Sequence, residues 1–158
     1  PYPGDDNLCF VGEQDDDQIA VLALEFQGLD WRTIHPALLA QYSASLNYFT
    51  PDGFRYFLPA YLIAELVDVG VPSGADPVFN LTQGLAGTED TQTTPSPNER
   101  TTDWFAQSAG GMASFSRPER EAIVHYLEYM ARFDADSAVE IQPALDLYWR
   151  PSLEASKS

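Results

Sequence analysis

Residues 48–68 read YFTPDGFRYFLPAYLIAELVD, and this stretch decides the fold class. Thr50 is a helix-capping residue, and Pro51 suits a first helical position, where a missing N–H costs nothing. Asp52 then falls in the first turn, where the helix dipole favours an acid. Phe54, Phe57, Leu58, Tyr61 and Leu62 repeat at the spacing of one helical face. Tyr56, Ala60, Ile63, Ala64 and Val67 spread apolar groups over much of the rest, so the expectation is a central, buried helix over about 50–68. Arg55, Glu65 and Asp68 interrupt the run too often for a membrane span, which needs about 20 apolar residues. Pro59 removes one N–H and leaves the Arg55 carbonyl without its helical partner, which predicts a bend.

Working outward, the 158 residues, 44% of them hydrophobic and 13% aromatic, are enough for a proper core. One mainly α domain over 1–150 is expected, with a flexible tail at 151–158 and at most a small two-stranded β element. No signal-peptide pattern opens the chain. It begins at Pro1, which leaves earlier removal of a leader open. A cytoplasmic setting is favoured. Cys9 is the sole cysteine, so an intrachain disulfide is impossible and the thiol reads as a small buried hydrophobe.

The segments on either side have their own signals. Residues 13–27 suit a helix with Ile19, Leu22 and Phe26 inward and Gly28 as its stop, although the alternation in IAVLALEF also permits a strand. Asp30 can cap a turn through Trp31 and Ile34, and Trp31 is read as a structural residue. Pro36 restarts a helix to about Leu46, with Leu38, Leu39 and Tyr42 on its apolar side. Val69 to Pro77 is turn-rich. Val78–Leu81 suits a short strand, paired with Leu8–Val11. Residues 84–103, GLAGTEDTQTTPSPNERTTD, suit an exposed loop, after which Trp104 and Phe105 re-enter the fold. Ser116 and Glu119 form a capping box ahead of a helix whose apolar face is Ile123, Tyr126, Leu127, Met130 and Phe133. Glu121–His125 and Glu128–Arg132 have the spacing of surface pairs on that helix. A closing helical segment runs from Ala138 to Trp149 around Pro143, docked by Leu145, Tyr148 and Trp149, and SLEASKS reads as a frayed end.

Charge is the outstanding compositional fact. There are 24 acidic and 8 basic residues, a net charge of −16, and the only lysine is Lys157. Such a surface repels nucleic acid and anionic lipid and steers toward basic partners. Asp15, Asp16 and Asp17 are the densest acidic run beside a predicted helix start. Neither they nor Asp5 and Asp6 have EF-hand spacing. Asp134 and Asp136 begin such a loop, but Ala138 and Val139 stand where a ligand and the glycine belong. His35 precedes Pro36 and should be extended; His125 falls on a polar helix face. Two separated histidines and one cysteine make a poor zinc set, and no metal or cofactor is expected. Arg55 sits among aromatics. It reads as half of a structural ion pair, with Glu25, Asp30 or Glu65 as its partner, or else as an anion anchor. Asn80-Leu81-Thr82 matches a glycosylation sequon, a tripeptide common by chance.

The opening YPGDD, Asp30-Trp31, Phe49-Thr50-Pro51 with the string from Phe54 to Leu62, Phe79 to Thr82, and Phe115-Ser116 with Glu119, Arg120 and Ile123 together resemble the DUF6714-like family of uncharacterised bacterial domains. The resemblance covers Tyr2 to about Phe133, and its most specific part is the FTPxGFRYFLPAYL string. It implies a compact helix-rich domain with no established activity, and for some members an immunity-type role beside a toxin. The tail after Phe133 and the TEDTQTTPSPNER loop depart from that pattern.

The expectation for function is a non-enzymatic, acidic protein-binding domain, in its sharpest form an immunity-type inhibitor of a basic toxin. Its binding residues would be Asp15, Asp16, Asp17 and Arg55. Trp31, Phe54, Phe57, Pro59 and Tyr61 would carry the structure. Two alternatives come from other classes. One is a small enzyme using a carboxylate pair with Arg55 as anion anchor; the other is an assembly subunit with contacts through exposed aromatics near Trp104 or Trp149.

Overall fold

The computed structural model describes residues 1–10, 17–67, 76–85, 109–133 and 135–155. Glu13, Asp15, Asp16, Asp68, Asp134, Lys157, most of the 69–77 and 84–103 loops, Trp104 and Phe105 therefore lie outside the described residues. The described part is mainly α and contains no strand. Its helices are α1 (Asp17–Phe26), α2 (Pro36–Gln41), α3 (Pro51–Val67), α4 (Pro77–Thr82), α5 (Arg117–Phe133), α6 (Ala135–Ala144) and α7 (Arg150–Ala155). Contacts group the chain into two compact units, Pro1–Pro77 and Val78–Ser158.

The first unit is organised by the start of α3. Thr50 caps it as expected: its Oγ1 accepts from the Gly53 N–H at 3.1 Å and donates to the Asn7 carbonyl at 2.6 Å. Pro51 is the first helical residue. The N-terminal segment is thereby laid across the helix start. Thr50 N–H donates to the Leu8 carbonyl at 2.9 Å, and Phe10 N–H donates to the Tyr48 carbonyl at 3.0 Å. Cys9 pairs with Phe49 in an isolated antiparallel bridge, and not with the Val78–Leu81 segment expected to be its partner. Gly53 makes the close approach feasible, since a Cβ there would overlap the Leu8 carbonyl oxygen and stand 3.2 Å from its carbon.

Beneath this seam, Phe26 of α1, Phe49 and Phe57 of α3 form a triangle of rings with centroids 5.1–5.2 Å apart. Leu8, Leu22, Leu39, Leu46, Leu58 and Tyr61 complete the core. Phe54 is buried and Pro59 is half-buried inside a helix that continues through it. Trp31 is half-buried in a 3-10 turn, Trp31–Thr33, which Asp30 caps by accepting from the Arg32 N–H at 3.0 Å. Burial of α3 is not all round. Its buried residues lie between Gly53 and Tyr61, while Ile63, Leu66 and Val67 are exposed. The apolar pattern is symmetric along the helix, but the seam with Leu8 is made at its N-terminal end.

The second unit is organised by Trp149, which is fully buried. Its Nε1–H donates to the Leu81 carbonyl at 2.9 Å, and its ring lies 6.3 Å from Phe115 and 5.1 Å from Tyr148. Trp149 is therefore not an exposed contact aromatic. It closes a π-helical turn, Leu145–Trp149, between two prolines. Pro143 and Pro151 each deprive a carbonyl four residues earlier of its partner, so the i→i−4 register is interrupted on both sides.

Other sequence expectations are corrected here. Val78–Leu81 lies within α4 and is not a strand; Thr82 Oγ1 donates to the Val78 carbonyl at 2.9 Å, a bond with helical spacing. On α5, Ile123, Val124, Tyr126 and Leu127 are buried, but Phe133 is 67% exposed. Phe133 is the last residue of α5, and it lies against Tyr129, with centroids 4.5 Å apart. Ser116 and Glu119 cap the helix together: the Ser116 N–H donates to Glu119 Oε2 at 2.6 Å, and the Ser116 hydroxyl donates to the same oxygen at 2.5 Å. The surface pairs differ from those expected. Glu121 takes Arg117 at 3.0 Å, and Glu128 takes Arg150 at 2.9 Å. At Glu121 an arginine stands in place of the expected histidine, and its fork offers directed donors to the carboxylate. The SLEASKS segment expected to fray is helical to Ala155.

Candidate functional site

A concavity among the described residues lies in the first unit. Asp17, Gln18, Val21 and Leu22 line one wall, a spacing that puts them on one face of α1. The other wall is Gln41 at the end of α2, then Tyr42, the 3-10 turn Ser43–Asn47 through Ser43, Ala44 and Ser45, and Tyr48. The cleft has a volume of about 450 Å³. Tyr42 is held edge-on to Phe26, with centroids 6.0 Å apart.

Ser45, itself buried, hydrogen-bonds the Tyr61 hydroxyl from below. Burial pushes the Tyr61 hydroxyl up to about 12 from 10.0, with the Ser45 bond pulling slightly the other way. This pair stays protonated at neutral pH and acts as a fixed polar floor. It is not legible in the sequence, because the SASLN run gives no sign that Ser45 faces a tyrosine sixteen residues later.

Of the expected binding residues, Asp17 is exposed in the first turn of α1 and lines the cleft. Asp15 and Asp16 lie outside the described residues. Arg55 is half-buried and engaged in an interaction, and it is not among the residues lining the cleft. Asp30, one of its candidate partners, instead grips Arg32 with both carboxylate oxygens, each at 2.9 Å. The Arg32 hydrogen bonds hold the Asp30 carboxyl below its usual range.

His35 is extended before Pro36, as expected, and its Nδ1 accepts from the Ala37 N–H at 3.2 Å, capping α2. His125 is exposed. Cys9 is buried, and burial raises its thiol pKa. Asn80 and Thr82 lie in α4 with Thr82 buried, so this part of the sequon belongs to helix packing. Among the described residues, no three His, Cys, Asp or Glu side chains converge on a point, and no helix is long and apolar enough to cross a membrane.

Two polar clusters went unread in the sequence. Tyr2 donates to Asp5 at 2.5 Å, Gln27 donates to the same carboxylate at 2.7 Å, and Gly28 N–H donates to the Tyr2 hydroxyl at 2.8 Å. Those bonds, Tyr2 foremost, lower the Asp5 pKa and tie the opening segment to the end of α1. In the second unit Arg120 donates to the Ser152 carbonyl at 3.2 Å and the Ala113 carbonyl at 2.9 Å, stapling α5 to α7. Both clusters bind backbone segments to each other and read as structural.

Comparison with curated proteins and with solved structures gave no match. A family model does match, over residues 11–153, and it is described as a family of unknown function. That span covers nearly all of the first unit, the cleft and the second unit, and so the chain belongs to the DUF6714 family.

Proposed function

We propose that this protein is an acidic protein-binding domain whose partner presents a basic surface, in its sharpest form an inhibitor that occupies the basic active site of a toxin. The observation that carries the reading is the imbalance of 24 acidic against 8 basic residues. A field of that sign accelerates encounter with a cationic surface and disfavours nucleic acid and anionic membranes. The exposed Asp17 at the start of α1 is consistent with a contact face there.

The test is a charge reversal. Asp15, Asp16 and Asp17 are changed together to Lys, and capture from the source organism's lysate is compared with the unaltered protein at low and high salt. The expected result is a partner retained by the unaltered protein at low salt, lost by the variant, with an on-rate reduced by about tenfold or more. The difference shrinks in high salt as screening sets in. Stability falls by only about 0.3–1 kcal/mol per lost dipole contact. Equal capture by both proteins, insensitive to salt, would sink the reading. Arg55→Ala is the control for the enzymatic alternative: an unchanged melting curve with loss of an anion-dependent activity would favour an enzyme.

A further inference from the structure

The cleft between α1 and residues 41–48 shares Asp17 with the partner reading, but its other walls have chemistry that the partner reading does not use. Small-molecule sites run from about 300 to 1,000 Å³ and combine apolar walls with a few placed polar groups. At about 450 Å³ this cleft is in that range. Val21, Leu22 and the rings of Tyr42 and Tyr48 supply the apolar surface, and Gln18, Gln41 and Ser43 supply uncharged polar groups. Among the described residues, the one charged side chain lining it is the Asp17 carboxylate, and no Lys, Arg or His lines it.

Those facts discriminate between ligand classes. An anion would meet the Asp17 charge with no cation among the described lining residues to offset it. A neutral apolar molecule would fill the walls but would leave the exposed Asp17 carboxylate unused. A monocation uses both features: its head meets a carboxylate in a cleft that two tyrosines also line, and aromatic rings attract cations. The floor adds a polar contact. Whichever hydroxyl donates in the Ser45–Tyr61 bond, the Ser45 Oγ keeps a lone pair, and Ser45 is the member lining the cleft.

We propose that this cleft binds a small organic monocation with an apolar body, of the arylalkylamine class, with its ammonium at Asp17 and its body between Val21, Leu22, Tyr42 and Tyr48. The same head-and-stem chemistry occurs in a lysine side chain, and the experiment separates the two sources.

The full chain, labelled with 15N, is titrated by two-dimensional NMR with phenethylammonium, with neutral 3-phenylpropan-1-ol, with 3-phenylpropionate, and with the tripeptide acetyl-Ala-Lys-Ala-amide. The amine is expected to shift resonances of residues 17–22 and 41–48, and to bind about tenfold tighter than the alcohol. The carboxylate and the tripeptide bind more weakly still. Asp17→Asn weakens the amine and brings the amine-to-alcohol ratio close to one. Ala44→Trp, at an exposed position on the wall, abolishes both; should it unfold the protein, Asp17→Asn still decides. Equal binding of amine, alcohol and carboxylate, shifts centred elsewhere, or tighter binding of the tripeptide than of the amine would each overturn the proposal. None of these readouts involves a protein partner, so failure here is separable from failure of the binding-domain reading.

Discussion

At the scale of the residue, Gly53 is the position where sequence and structure are most tightly coupled. Alanine is the better helix former by about 1 kcal/mol, so helix propensity alone would make Gly53→Ala stabilising. The overlap between a Cβ there and the Leu8 carbonyl oxygen reverses the sign, because the atom in the way is backbone. Overpacking of this kind costs about 1–3 kcal/mol, and a urea melt is expected to show a net loss. An unchanged or raised midpoint would mean that the Leu8 segment is not seated there. Tyr61 carries a second expectation. Its folded pKa, at about 12, lies above the ordinary 10.0. Below pH 10 both states are protonated and the group adds no pH dependence. As pH rises from 10 toward 12, the unfolded chain releases its proton first, so stability falls, by about 2–3 kcal/mol in full. Tyr61→Phe is expected to remove that alkaline loss, and absorbance of tyrosinate against pH in the folded protein checks the order of titration.

Among the elements, α3 and α5 are legible because cap, dipole and apolar period all agree over 17 residues each. α4 is not, since a six-residue run of apolar and β-branched residues fits either period, and only tertiary packing of Val78 and Leu81 decides it. The cleft is illegible for a related reason. Its walls come from α1 and from the turn after α2, and no spacing within either segment encodes their meeting. Phe133 is misassigned by its spacing, because periodicity continues to the last residue of a helix whether or not a neighbour covers it. The π-helical turn provides this scale's test. Trp149→Phe keeps most of the buried ring and strands the Leu81 carbonyl that Nε1 satisfies. A loss of about 1–3 kcal/mol is expected, accompanied by little change in helical circular dichroism. A loss near zero would show that water or a neighbouring donor serves that carbonyl as well.

Across the whole molecule the governing influence is charge, which is fully legible from composition. A net charge of −16 repels itself in the folded state more than in the expanded one. Raising ionic strength from about 0.01 M to about 0.15 M shortens the screening length from about 30 Å to about 8 Å. The melting temperature is therefore expected to rise with added sodium chloride. For a chain of this size each kcal/mol recovered corresponds to about 2–4 °C. A flat or falling salt dependence would show that paired surface charges such as Arg150 with Glu128 and Asp146 outweigh the net repulsion.

The seam at Cys9 has a consequence of a different kind. The sole thiol of the chain lies between Leu8, whose carbonyl takes the Thr50 N–H, and Phe10, whose N–H reaches Tyr48, and only 8% of Cys9 is exposed. An alkylating reagent can reach it only when those links part. The molecule thus contains its own stopwatch: the ratio of its alkylation rate to that of a free thiol at equal thiolate fraction reads the free energy of peeling the first ten residues from α3. No label need be engineered, and no second thiol in this chain contributes to the signal. If peeling is a local event, Gly53→Ala will speed the stopwatch far more than Trp149→Phe does. If the two variants speed it alike, the seam opens only when the protein unfolds as a whole.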